Sequence, residues 1–251
     1  MKKIFGIIIF IAAWNVTHAS GLQEIVARAN KAYSDGMYEN AADLYSKILR
    51  SGYESADLYY NLGNAYFKMN DFAPAILNYE RAKRLDPGNE DIRFNLQVAA
   101  TRITDKIEPL PVLFYKRWYK SLLVLLPVDG WARAGIGALI LALGSGLLYF
   151  ISRILILRKI GFWAGLVFLF FSLVFSLFAW QNYTSVRNNT EAIVFDPTVT
   201  IKSSPDEKSI DLFVLHEGTK VQVIDRIGPW FEIRIANGSV GWLPASSVEK
   251  I

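Results

Sequence analysis

Residues able to do covalent chemistry are few in this chain. It has no cysteine and two histidines, His18 and His216. That removes thiolate nucleophiles, disulfides, iron–sulfur ligation, and any triad or zinc site built on several imidazoles. A carboxylate mechanism would remain, yet no pair of Asp or Glu stands in a motif that would divide acid from base. His216 beside Glu217 reads as a turn residue rather than a catalyst. The expectation is no catalytic residue, no metal and no cofactor. The side chains worth following are those suited to recognition: Asn30, Tyr33, Tyr60, Asn64, Phe67 and Lys68 in one group, Trp230, Trp242, Asp206 and Asp211 in the other.

What positions these groups is first a question of membranes, because 52% of the 251 residues are hydrophobic. Residues 20–107 carry 11 basic and 12 acidic side chains, 108–188 carry 8 and 2, and 189–251 carry 6 and 9. The basic excess therefore lies beside the apolar segments, and neither candidate soluble domain is basic, which argues against nucleic acid as a partner. Lys2-Lys3, the apolar run from Ile4 to Trp14 and small residues at Thr17 and Ala19 have the layout of a signal peptide cut after Ala19, with an uncleaved anchor as the rival reading.

Two uncharged stretches follow, 18 residues from Ala134 to Ile151 and 21 from Ile160 to Trp180. Each can cross the hydrocarbon of a bilayer. Trp131, Tyr149, Trp163, Trp180 and Tyr183 suit its interfaces, and Arg153, Arg158 and Lys159 in the connection favour the cytoplasmic side. Neither span holds an ionisable residue, which disfavours transport. Ala134, Ala138, Ala142 and Gly146 on one helix, and Gly161 and Gly165 on the other, make small faces for close packing, within the hairpin or between copies. The segment from Leu110 to Leu126 interleaves Phe114, Trp118, Leu122 and Leu125 with Lys116, Arg117 and Lys120, and reads as a linker or a helix lying on the membrane surface.

Before the spans, a spacing of 34 pairs Ala29 with Gly63, Asn30 with Asn64, Gly36 with Asn70, Tyr38 with Phe72, Ala41 with Ala75 and Tyr45 with Tyr79. The best copy, Ala56 to Asn89, resembles the tetratricopeptide repeat, with Leu62, Gly63, Tyr66, Ala75, Tyr79, Ala82 and Pro87 in the signature places. A degenerate copy precedes it, and a lone closing helix beginning at Asn95-Leu96 is expected to run toward Lys106 and Glu108. So short an array needs support from its terminal helix or from a partner. The resemblance places Asn30, Tyr33, Tyr60, Asn64, Phe67 and Lys68 along a groove that captures a peptide or helix. For the two asparagines, agreement with the repeat's own pattern is the simplest account. Val26, Phe94 and Val98 stand where a carboxylate-clamping array would carry Lys or Arg.

After the spans, five short strands are predicted, at Ala192–Val194, Val199–Lys202, Lys220–Ile224, Trp230–Ile235 and Val240–Leu243, with a hairpin turn at Asn237-Gly238. The stretches VTIKSSP, LHEGTKVQV, WFEIR and VGWLPASSV resemble bacterial SH3 domains. That resemblance makes Trp230, Trp242 and the loop from Asp206 to Asp211 candidate contacts for peptidoglycan or a peptide. Barrel packing is the competing account of both tryptophans.

The expected fold class is a multidomain membrane protein: an all-α tetratricopeptide array, a two-helix transmembrane hairpin and an all-β SH3-like barrel. Its parts are a signal peptide over 1–19, the array over 20–108, a linker or interfacial helix over 109–130, spans over 131–152 and 160–182 around a cytoplasmic loop 153–159, and the barrel over 190–251. In that order the chain resembles the BatE family of the Bacteroides aerotolerance operon. The resemblance implies a role in stress tolerance at the cell envelope beside proteins with von Willebrand A domains. The expected function is a scaffold or adaptor in the inner membrane with both soluble domains outside it. A peptidoglycan sensor or anchor is the alternative, and a cell-wall hydrolase is the reading that the residue inventory least supports.

Overall fold

The computed structural model describes residues 22–187 and 190–251. The signal peptide expected over 1–19 lies outside them. The described chain forms two compact units. One gathers the residues up to Lys83, Glu90–Pro109 and Thr190–Ile251; the other comprises Arg84–Asn89 and the residues from Leu110 to the end of the last helix.

In the first unit, helices α1 (residues 22–34), α2 (Tyr38–Arg50), α3 (Ala56–Lys68), α4 (Phe72–Leu85) and α5 (Glu90–Ala100) build the array. The 34-residue period holds down to single hydrogen bonds. Gly36 and Asn70 both turn the chain with positive φ, 79° and 62°, a conformation that asparagine tolerates better than other side chains. Met37 N donates to Ala32 O as Asp71 N does to Tyr66 O. The Tyr45 hydroxyl donates to Asn30 Oδ1 at 2.7 Å, and the Tyr79 hydroxyl repeats this to Asn64 Oδ1 at 2.7 Å. Between them Ala29, Ala32, Ala41, Ala42 and Ala65 are fully or nearly buried, so paired helices come close enough for the tyrosines to fill the space between them.

The closing helix ends at Ala100, short of the expected run toward Lys106 and Glu108. The Lys106 ammonium folds back and donates to the carbonyls of Ala100, Thr101 and Ile103 at 3.1, 2.9 and 2.8 Å. A cation there satisfies carbonyls that the helix leaves unpaired and complements its negative end.

The barrel has seven strands where five were predicted: β1 (Glu191–Val194), β2 (Thr198–Lys202), β3 (Asp211–His216), β4 (Lys220–Ile227), β5 (Trp230–Arg234), β6 (Val240–Pro244) and β7 (Val248–Lys250), in the order β3-β2-β6-β5-β4-β1-β7. Strand β3 is an edge strand with Leu215 as its buried residue, and β7 has three residues; neither leaves an alternating pattern to read. Inward residues from the two halves of the sheet, among them Ala192, Val194, Ile201, Leu215, Val221, Ile233 and Leu243, form one buried cluster, so the sheet curls on itself. Gly241 allows the closure, since a Cβ there would lie 2.4 Å from Ile201 Cγ2.

The second unit contains α6 (Phe114–Val124), α7 (Val128–Ile151) and α8 (Leu155–Arg187). The helices α7 and α8 are long and apolar enough to cross a membrane. Their small faces meet each other: a Cβ on Gly161 would lie 2.8 Å from Ser145 O, and Ser172 Oγ donates to Gly135 O at 2.9 Å.

Truncating Tyr79 to Ala is expected to cost about 3–5 kcal/mol of stability, and Tyr79→Phe about 1 kcal/mol for the lost hydrogen bond. Urea unfolding of the purified chain, followed by circular dichroism, checks both; equal effects would show that the hydroxyl, not the ring, holds the helix pair.

Candidate functional site

Within the first unit the array and the barrel share an interface built on β1. Ala192 and Val194 point into the barrel core, while Ile193, fully buried, points the other way and packs with Ile76, Tyr79, Ala99 and Ile251. The register places Lys220 on one side of Ile193 and Glu249 on the other. This row of three meets two consecutive residues of α4. Lys220 Nζ lies 3.1 Å from the Glu80 carboxylate and 2.8 Å from that of Glu191, and Arg81 Nη2 donates to Glu249 Oε1 at 2.9 Å and to Lys250 O at 2.8 Å.

A second set of contacts comes from the segment after α5. Asp105 Oδ2 accepts from His216 N at 2.8 Å and from Thr219 Oγ1 at 2.6 Å, while its Oδ1 lies 2.7 Å from His216 Nδ1. Gly218, at φ 82° in the same turn, has no room for a side chain, because a Cβ would lie 2.4 Å from Ile103 Cγ2. An Asp–His pair is also the element that orients a general base in hydrolases. Here both carboxylate oxygens are engaged by the β3–β4 turn, so the pair fastens the array to the barrel.

The electrostatics follow from this packing. Burial pushes the Glu80 carboxyl up, but the ammonium groups of Lys220 and Lys83 outweigh it and hold the group below its ordinary value of 4.5. Burial likewise opposes the charge on Asp105, and the hydrogen bonds from Thr219 and His216 outweigh it, holding it below 3.8. Lys220 is pulled down by burial and raised more by Glu80 and Glu191, ending above 10.5. Burial pushes Tyr45 up to about 12, so its hydroxyl remains a donor toward Asn30 at physiological pH.

Of the array residues singled out from sequence, Asn30 and Lys68 are exposed and Tyr33, Tyr60, Asn64 and Phe67 are half-buried. Asn95 Nδ2 donates both to the Tyr60 hydroxyl and to Asn64 Oδ1 at 2.9 Å, joining α5 to α3. The Tyr60 ring lies 6.0 Å from that of Tyr79, and the Phe67 ring stands edge-on to Phe72 at 5.7 Å. Tyr60, Asn64 and Phe67 thus also hold helices together. Phe94, which the 34-residue spacing pairs with Tyr60, is 65% exposed on α5 and lines a shallow depression with Lys83, Arg93 and Gln97. In sequence Phe94 stands where a carboxylate clamp would carry a basic residue, and the 34-residue period from Tyr60 is the signal that would add it to the candidate groove residues.

On the barrel, Trp230 and Trp242 are half-exposed and alternate with buried Phe231, Gly241 and Leu243 along β5 and β6, which places both on the outer face of the sheet. Lys202 pairs with Trp242 in register and its ammonium lies 2.5 Å from Asp211 Oδ1, bringing these three to one place. Asp206 belongs to the turn between β2 and β3, where its Oδ1 accepts from Lys208 N at 3.0 Å. Among the described residues no three metal-ligating side chains converge.

Comparison with known families agrees with both modules. Residues 56–89 match the tetratricopeptide repeat and residues 197–249 match the bacterial SH3 domain. Both are typically non-catalytic interaction modules, and together they support a role in binding protein or peptidoglycan.

The linkage has a definite sign. A carboxylate held below its ordinary value favours the docked form above that value and gives up the contribution as pH falls through the lowered one; a raised lysine gives up its share only above about pH 10.5. The array–barrel unit is therefore expected to be most stable between about pH 5 and 10 and to weaken below the ordinary carboxylate range. Asp105→Ala should cost about 3 kcal/mol and His216→Ala about 1 kcal/mol, since the latter leaves the backbone N–H in place. Urea midpoints measured from pH 7 down to about 3 check this: Asp105→Asn should show a shallower acid dependence than the parent.

Proposed function

We propose that this chain is a membrane-anchored adaptor of the bacterial cell envelope, carrying a two-module recognition head on a helical hairpin. The observation that carries the reading is the docking of the array on the barrel. It ties the two interaction modules into one compact unit and leaves Phe94 and Lys68 on the array and the Trp230–Trp242 face of the barrel exposed. A protein or peptide segment is the ligand this suits, held by the array groove from Asn30, Tyr33 and Lys68 to Phe94.

The docking also bears on topology. Two modules in one compact unit stand on the same side of a membrane, so an even number of spans must separate them in sequence. The hairpin α7–α8 supplies two. The signal-like layout of the first 19 residues, with Arg153 between the two helices and Arg158 and Lys159 at the start of the second, supports an outward-facing head in the inner membrane. The resemblance to the BatE family extends this reading to an aerotolerance complex with von Willebrand A domain partners.

A second reading has its own observation. Half-exposed Trp242 beside the Lys202–Asp211 pair, with Trp230 on the same outer face of the sheet, forms an aromatic and charged surface of the kind that holds a sugar–peptide polymer, and makes the barrel a peptidoglycan contact.

Cysteines introduced at Ser34 and Ser209 are expected to react with an impermeant maleimide on intact spheroplasts, and one at Ser152 only after lysis; the reverse pattern inverts the topology. In a crosslinked pull-down from native membranes, Lys68→Glu with Phe94→Ala should lose partner recovery by about tenfold or more at unchanged melting temperature. Trp242→Ala should leave that recovery intact. If Trp242→Ala instead abolishes sedimentation with isolated sacculi while the array variant behaves as the parent, the barrel is the binding module.

A further inference from the structure

Helix α6 presents a surface that neither the recognition head nor the packing of the hairpin explains. Phe114 and Trp118 on the helix and Leu125 at its C-cap, which keeps helical dihedrals, are 83%, 65% and 65% exposed. At 100° per residue they fall within an arc of about 40°, so they form one apolar stripe. Lys116, Arg117 and Lys120 are exposed on another arc of the same helix, and no acidic residue occurs from Pro109 to Val128. Basic side chains flanking an aromatic and aliphatic stripe are the composition of a helix lying in a bilayer interface.

The third arc fixes where the helix lies. The Tyr119 hydroxyl bonds to Gln181 Oε1 and its ring stands edge-on to Phe178 at 6.1 Å. Leu123 is buried, and its carbonyl accepts from Trp131 Nε1 and from Asn182 Nδ2, both at 3.0 Å. These contacts pin α6 beside the beginning of α7 and the end of α8, where the apolar runs give way to Arg133 on one helix and Gln181-Asn182 on the other. With α7 and α8 across a bilayer, that level is the headgroup region.

We infer that α6 is a lipid-binding element: its Phe114–Trp118–Leu125 stripe enters the leaflet at this end of the hairpin, and Lys116, Arg117 and Lys120 hold the phosphates of anionic lipids. The inference rests on the membrane reading of the hairpin. A free linker would be indifferent to lipid charge, whereas this helix favours anionic membranes and anchors the entry to the first span. Charge complementarity and continuity with the bilayer-crossing helices select lipid over a protein as the occupant.

The test uses the full cysteine-free chain, reconstituted into phosphatidylcholine vesicles with or without phosphatidylglycerol, carrying an environment-sensitive fluorophore on Phe114→Cys or, separately, on Leu143→Cys in the middle of α7. In anionic vesicles the label at 114 should be shielded from acrylamide and quenched by lipids spin-labelled near the headgroup. Neutralising Lys116, Arg117 and Lys120 to Gln should lower the ratio of shielded to accessible label roughly fivefold per residue, with little change in neutral vesicles. The proposal is overturned if the label at 114 stays accessible while that at 143 is buried, or if shielding is the same in both vesicles and survives neutralisation. Shielding that grows with the protein-to-lipid ratio overturns it in favour of a second copy of the chain. Accessibility at both positions overturns the membrane reading and this inference with it.

Discussion

Strand β1 is buried on both faces, and the recognition head depends on that. One face, through Ala192 and Val194, is core of the barrel, and the other, through Ile193, is core of the helical array. Flanking Ile193 in the pleat, Lys220 and Glu249 meet Glu80 and Arg81, so an apolar contact is bordered by two ion pairs of opposite sense. The arrangement specifies register as well as contact: sliding α4 by one residue would bring like charges together, and sliding β1 would turn Ile193 into the barrel. The Glu80–Lys220 pair contributes little net stability, yet leaving buried Glu80 without its partner is costly, and the more exposed Arg81–Glu249 pair contributes less still, so both pairs act mainly against the wrong docking.

This docking answers a problem posed by the array itself. One recognisable repeat, a degenerate copy and a closing helix fall short of the three or so units that a solenoid needs to bury its terminal faces. The barrel covers the open side of the second repeat, with Ile193, Ile251 and Phe195 joining Ile76, Leu77 and Tyr79 in a single cluster. The Asp105 contacts to His216 and Thr219 then hold the chain leaving α5 against the β3–β4 turn. The two modules are adjacent in space although the hairpin separates them in sequence.

Inside the array the same side chains serve two purposes. Asn30 and Asn64 accept the hydroxyls of Tyr45 and Tyr79, and Asn64 accepts Asn95 as well, so their carbonyl oxygens are engaged in joining helices. Lys68, Phe94 and Asn30 are exposed, and they are the positions that the proposed groove would offer a ligand. On the proposed reading, Val26, Phe94 and Val98 in place of a clamp's basic residues suit an apolar or mixed segment rather than a free C-terminus.

Sequence by itself determined whatever is written in local periods: the 34-residue repeat with its turn positions at Gly36 and Asn70, the two uncharged runs of membrane length, and the alternation in β5. Each is a regularity that one element imposes on its own residues. Strands β3 and β7 escaped because an edge strand with one buried residue, and a strand of three, impose no such regularity. The end of α5 escaped because a lysine six residues beyond it caps the carbonyls. Tertiary structure alone decided that Ile193 faces the array, that Asp105 takes His216 and Thr219, and that α6 lies against Gln181 and Asn182. Those pairings join residues from about 60 to more than 110 positions apart along the chain. A single charged or apolar residue carries no local sign of a partner so far away, because the pairing is selected by the packing of whole elements rather than by the chain around either residue.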